Sequence, residues 1–115
     1  MQPESFLPLP EAAFHILMAV AEEDRHGYGI IQDVAAGTNG ALKLSAGTLY
    51  RSIQRMLEQG LLIETGDRPS PEDDDERRRY YRITPFGREV AKAEARRLAQ
   101  LVRMARRSGF AEGKA

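Results

Sequence analysis

The stretch Ser45–Leu62, SAGTLYRSIQRMLEQGLL, decides the fold that we expect for this chain. Its apolar residues Leu49, Ile53, Met56 and Leu57 follow the spacing i, i+4, i+7, i+8, which places them on one face of a helix. The other face carries hydrogen-bonding side chains without an acid among them: Thr48, Arg51, Ser52, Arg55 and Gln59. A helix that packs its apolar face on the core and exposes such a polar face is suited to enter a DNA groove. We therefore predict a recognition helix here.

The segments after this helix follow the order of a winged helix. Gly60 ends the helix, Leu61–Glu64 is expected to form the first strand of a wing, and Arg78–Ile83 is expected to form the returning strand. The predicted fold class is mainly α, a winged helix-turn-helix with three helices and a two- or three-stranded wing.

Two more helices are predicted before the recognition helix, over residues 10–23 and 27–36. The first has apolar residues at helical spacing, namely Phe14, Leu17, Met18 and Ala21. Residues 41–44 could add a short third strand to the wing. Ser45 is a suitable N-cap for the recognition helix, because its hydroxyl can accept from an unpaired amide of the first turn.

A long C-terminal helix should follow the wing. Thr84 offers a hydroxyl cap, proline follows at the first helical position, and the apolar periodicity runs to about Arg107. We expect a DNA-binding domain over 8–84, a dimerisation helix over 85–107, and flexible ends at 1–7 and 108–115.

Composition excludes several classes of function. The chain has 115 residues and no cysteine, so disulfides, cysteine nucleophiles and thiolate metal sites are excluded. His15 and His26 belong to different elements, and Ser45 has no histidine base near it in sequence. We expect neither an enzyme nor a cofactor. No apolar run is long enough for a bilayer and no signal peptide is visible, so we expect a cytoplasmic protein without a membrane partner.

The charge is distributed unevenly although the net charge is zero. Net charges are −4 over residues 1–44, +1 over 45–60, −6 over 61–76 and +9 over 77–115. A phosphate backbone responds to charge within about 8 Å, so these local values matter more than the total.

Three motifs resemble those of one known family. They are HGYGII at 26–31, LSAGTLY at 44–50 and RYYRITPFG at 79–87. In this order and spacing they resemble the PadR family of bacterial transcriptional regulators, over about residues 10–107. The resemblance implies a homodimer that binds operator DNA through a winged helix and uses its C-terminal helix to contact the partner subunit. It also implies repression that is relieved by a small aromatic or drug-like ligand. The acidic run Glu72–Glu76 departs from the family pattern and argues against a phosphate contact at the tip of the wing.

The candidate DNA contacts each have a structural alternative. Tyr28 could bind a phosphate or pack the first helix on the second, and Tyr50 could contact DNA or pack on the wing. Arg51 and Arg55 could reach base edges or backbone, or remain solvated. Arg77–Arg79 could bind DNA or balance the acidic run, with Arg78 and Arg79 on opposite sides of the strand. The predicted DNA-binding set is Tyr28, Ser45, Thr48, Tyr50, Arg51, Arg55, Arg78 and Arg79.

The last helix has an apolar stripe along one face. A chain of this size has few other elements that could cover it. The stripe could pack on the chain's own first helix, but we favour contact with a second copy. The predicted dimerisation residues are Phe14, Val90, Leu98, Leu101, Val102 and Ala105.

We therefore predict a homodimeric repressor that binds a palindromic operator in double-stranded DNA and is released by a small aromatic effector. One alternative is a ligand-gated sensor with an apolar site lined by Phe14, Met18, Leu98 and Val102. Another is a winged helix used only for contacts between proteins.

Overall fold

Four helices and a three-stranded antiparallel sheet form the part of the chain that the computed structural model describes, residues 2–65 and 79–112. The helices are α1 (Glu11–Ala19), α2 (Gly27–Gly37), α3 (Ala46–Glu58) and α4 (Pro85–Arg107). The strands are β1 (Arg25–His26), β2 (Leu62–Thr65) and β3 (Tyr80–Ile83). A 3-10 helix, Pro3–Phe6, precedes α1. The mainly helical winged-helix class predicted from the sequence is confirmed.

Helix α1 lies at the centre of the fold and packs against α2, α3 and α4. Its Ile16 and Leu17 are fully buried, together with Leu49 and Ile53 from the predicted apolar face of α3. Burying a side chain of this size contributes about 1.5–3 kcal/mol, so this contact holds α3 firmly on the core.

The ends of α3 follow local chemistry. Ser45 Oγ accepts a hydrogen bond from the Thr48 amide at 3.1 Å, which satisfies an otherwise unpaired donor of the first turn. Gly60 has a φ of 77°, a conformation that glycine adopts without steric cost, and the chain turns there into β2. Both predicted boundaries are confirmed.

The sheet has the order β1-β3-β2, with Leu62 opposite Ile83 and Arg25 opposite Tyr81. The third strand is therefore Arg25–His26, and the prediction of a strand at 41–44 is wrong. The amides of that segment are used locally: Leu42 N donates to Thr38 Oγ1 at 3.0 Å, which ties the segment to the end of α2.

Helix α1 is shorter than the predicted helix over 10–23. It ends at Ala19, whose carbonyl accepts from Arg25 Nε at 2.6 Å as the chain turns toward β1. The buried face is also different from the predicted one, because Met18 is 48% exposed while Ala13 and Val20 are buried.

The N-terminal segment is ordered in part, contrary to the prediction of a flexible end at 1–7. The rings of Phe6 and Phe86 meet edge to face at 5.4 Å between centroids. Further along, Leu9 N donates to the buried carboxylate of Glu94 at 3.0 Å. The segment therefore lies against α4.

The first half of α4 belongs to the same core as the other helices. Thr84 Oγ1 accepts from Gly87 N at 2.8 Å, which confirms the predicted cap. Gly87 lies so close to the Leu61 carbonyl that a Cβ there would overlap it. Val90 is fully buried, whereas the second half of the helix is mostly exposed. No helix in the described ranges has the length and apolarity required to span a membrane.

Candidate nucleic-acid interface

The outer face of α3 carries a polar surface on a rigid support. Arg51 and Arg55 are exposed one turn apart, and Ser45 and Thr48 stand at the N-terminal end of the helix. Ser45 Oγ also lies 3.1 Å from Thr48 Oγ1, and Arg51 Nη2 lies 3.5 Å from the same oxygen. The exposed guanidinium groups of Arg51 and Arg55 each carry five N–H donors, which suits an anionic partner.

Tyr28 stands at the start of α2 and points into solvent, 63% exposed. Its ring is nearly parallel to that of His26, with centroids 6.5 Å apart. His26 Nδ1 accepts from Gly29 N at 3.0 Å, so this histidine caps α2. The exposure of Tyr28 argues against the alternative in which it packs α1 on α2.

Tyr50 is less free to reach a ligand. It is 39% exposed, and its hydroxyl lies against Gly27 so closely that a Cβ at that position would overlap it. Glycine at position 27 therefore makes room for Tyr50 beside the start of α2. Burial raises the pKa of the phenol of Tyr81, and the nearby carboxylate of Glu64 raises this pKa further. The Tyr81 hydroxyl is therefore neutral at neutral pH.

At the base of the wing, Arg79 is half exposed and its Nε lies 3.2 Å from Glu64 Oε1 across the β2–β3 pair. Arg78, Arg77 and the acidic run 72–76 lie outside the described residues. A second wing arginine, Arg82, was not singled out from the sequence. It holds Asp24 through two hydrogen bonds of 3.0 and 2.9 Å, and this partner is 58 residues away along the chain.

The polar face of α3 continues into a groove of about 800 Å³. Thr48, Ser52 and Arg55 form one wall, while Phe6 and Leu9 belong to the other. The groove could not be predicted from the sequence, because Ser5 and Phe6 of its second wall belong to a segment expected to be flexible. None of the four residues proposed for an effector site, Phe14, Met18, Leu98 and Val102, lines this groove.

The predicted dimerisation residues divide into three groups by burial. Val90 is fully buried inside the protomer, so its assignment to a subunit contact is wrong: it packs in the chain's own core. Leu101 and Val102 are 46% and 43% exposed, and Met104, which is not in the predicted dimerisation set, is 46% exposed. The remaining three are partly buried: Phe14, Leu98 and Ala105.

Within residues 2–65 and 79–112, no three or more histidine, aspartate or glutamate side chains come together in a way that could hold a metal ion. The buried carboxylate, Glu94, is bound by Arg97 Nε at 2.5 Å, and this hydrogen bond lowers the pKa of Glu94. Glu94 and Arg97 therefore form a structural ion pair.

Known proteins share both the sequence pattern and the fold. The model of the transcriptional regulator PadR-like family matches residues 16–93. Transcriptional regulator Rv3488 of Mycobacterium tuberculosis is 33% identical over 89 residues, which cover 77% of each chain. Uncharacterized protein X of Lysinibacillus sphaericus is 40% identical over 75 residues, and the match spans 64% of each chain.

The structural comparison agrees. A PadR family transcription regulator from Clostridium difficile superposes with a TM-score of 0.69 and 17% identity, covering 85% of this chain and 97% of the other. At that identity the likeness concerns the fold.

Proposed function

The chain belongs to the PadR-like family of transcriptional regulators, and on this premise we propose that it is a repressor that binds a palindromic operator as a homodimer. The family is one of regulators and not of enzymes. In this proposal α3 enters the major groove, and Tyr28 and the base of the wing hold the backbone on either side.

The observation that carries the proposal is the outer face of α3. Arg51 and Arg55 are exposed beside hydroxyls, while the inner face is fixed on the core by Leu49 and Ile53. A rigid helix with exposed guanidinium groups is what bidentate recognition of guanine requires.

A second copy is proposed to cover the distal half of α4. Leu101, Val102 and Met104 are each more than two-fifths exposed, and all three lie on the half of α4 that extends beyond the buried core. Contiguous apolar side chains on a helix that projects from a small domain are typical of an association surface. Two α3 helices held this way would occupy a promoter and exclude the polymerase.

Release by a small aromatic ligand is proposed as an added function, with the groove beside α3 as its site. The groove is of a size that holds small molecules, and Thr48, Arg51 and Arg55 line it as well as the DNA-facing surface. A ligand there would compete with DNA directly.

Binding to the DNA fragment upstream of the protein's own gene tests the proposal. Arg51→Ala should weaken binding by roughly 10- to 100-fold, because a guanine contact contributes about 1–3 kcal/mol. Gln54→Ala is the matched control, since Gln54 is exposed on the same helix and its amide lies 3.4 Å from Glu58. Equal affinity of Arg51→Ala and wild type, with unchanged melting temperatures, would refute the assignment of α3.

A further inference from the structure

One face of α4 is basic over almost its whole length. Its cations follow the spacing i, i+4, i+8, i+15, i+19, which keeps them within an arc of about 100° on a helix of 3.6 residues per turn. We call this face the basic stripe and define it by Arg88, Lys92, Arg96, Arg103 and Arg107. All five residues are exposed.

Among the described residues, carboxylates leave most of the basic stripe without an ion pair. Arg88 Nη2 donates to the Ala21 carbonyl at 2.7 Å, and Lys92 meets Glu89 at 3.7 Å. Arg103 donates to a neutral partner, the Gln100 side chain. In the described part of the chain, neither Arg96 nor Arg107 lies within ion-pair distance of a carboxylate.

The basic stripe faces away from the recognition helix. The other side of α4 buries Val90, Ala93 and Glu94 against α1 and the N-terminal segment, and α1 in turn packs on α3. On a helical wheel, Leu101 and Ala105 project away from the stripe, whereas Val102 and Met104 flank it on either side. A dimer contact centred on Leu101 therefore leaves the five cations open.

We propose that the basic stripe binds the phosphate backbone of a second DNA duplex, so that one regulator can bridge two segments of DNA. Four of the five cations are arginines, whose guanidinium groups match phosphate geometry. The stripe is about 28 Å long at 1.5 Å per residue, which corresponds to about eight base pairs.

The side chains between the cations favour DNA over other anionic partners. Ala95 and Ala99 are exposed between the arginines, and they let a backbone approach closely without adding an apolar anchor. Docking on an acidic protein needs buried aromatic or aliphatic anchors, and docking on a membrane surface needs an apolar wedge. A hydrated phosphate backbone needs neither, because its binding is mainly electrostatic.

A bridging assay tests the proposal. The full chain is added to beads that carry a random-sequence duplex, and retention of a second, labelled random duplex is measured. The triple variant R96Q/R103Q/R107Q removes charge at exposed positions, and R96K/R103K/R107K is the matched control that keeps it. We expect wild type and the lysine variant to retain the labelled duplex, and the glutamine variant to lose it while it still binds the beads.

The salt dependence of duplex binding gives a second readout. Each phosphate contact contributes about 0.9 to the slope of log Kd against log salt, so the glutamine variant should lose about 2 to 3 from that slope. The proposal is overturned if the glutamine variant bridges like wild type, if the lysine variant fails equally, or if phosphatidylserine vesicles rather than DNA bind the stripe. None of these outcomes involves Arg51, so the proposed operator contact is judged separately.

Discussion

At the scale of single residues, some hydrogen bonds join neighbours along the chain and others join distant residues. Only the first kind can be predicted from the sequence. The caps by Ser45 and Thr84 join residues three positions apart, so the sequence alone predicts them. The carboxylate of Glu94 receives Leu9 N across 85 residues of chain, and nothing local indicates such a partner. Buried polar pairs of this kind follow from the packing of distant elements.

Gly87→Ala should destabilise the fold, because the added Cβ would overlap the Leu61 backbone carbonyl, which cannot move without shifting β2. Overpacking of this kind costs about 1–3 kcal/mol or more. Gly37→Ala is the control, since a Cβ at that helical glycine meets nothing within 4 Å and should be neutral or slightly stabilising. Urea unfolding of both variants measures the difference, and equal stabilities would contradict the close approach.

Glu94→Gln should lower the free energy of unfolding at neutral pH by about 1–3 kcal/mol, because a charged acceptor is lost beside Arg97. The hydrogen bond from Arg97 lowers the pKa of Glu94 in the folded state below its ordinary 4.5. The carboxylate therefore stabilises the fold above the unfolded pKa, and this contribution is lost as the pH falls through the folded pKa.

Urea unfolding of wild type and Glu94→Gln at several pH values checks this sign. The two proteins should differ most at neutral pH and converge in acid below the folded pKa of Glu94. A difference that grows toward acid would show that the ion pair has been assigned the wrong role.

At the scale of elements, the sequence predicted α2, α3, α4 and the paired wing strands because periodicity and caps are local. It placed the third strand wrongly, since Arg25–His26 is too short to show a pattern and forms only by pairing with β3. The limits of α1 were missed for a related reason: its end is set by Arg25, which binds the Ala19 carbonyl.

Replacement of Ser45 separates its two roles at the start of α3. Ser45→Ala removes the cap and should cost about 1 kcal/mol of stability. Ser45→Asp keeps a capping oxygen and adds a favourable charge at the helix N-terminus, so stability should be retained. If Ser45 also contacts phosphate, the aspartate variant should bind DNA worse than the alanine variant, measured by titration of the upstream fragment. The reverse order of affinities would show that Ser45 is only a cap.

At the scale of the whole molecule, we propose that a second copy covers the apolar surface on the distal half of α4. Leu101→Glu with Val102→Glu should give a folded monomer, because both side chains are exposed in the protomer and contribute little to its core. Sedimentation equilibrium should then give a mass near 12.9 kDa, and twice that value for wild type. A double variant that remains dimeric would place the subunit contact elsewhere.

The two-fold arrangement was inferred from the sequence only through the unpartnered stripe of α4 and the family resemblance. Val90 was included in that stripe but is buried in the core of the protomer. Periodicity shows which residues share a face of a long helix, but it does not show which half of the helix packs on the domain.

Hydroxyl-radical footprinting of the wild-type protein on the DNA upstream of its gene tests the central claim most directly. A dimer with one α3 in each of two successive major grooves should protect two patches on one face of the duplex, about 34–36 Å apart. Arg51→Ala should erase both patches together. A single protected patch, or a pattern unchanged by Arg51→Ala, would contradict the account.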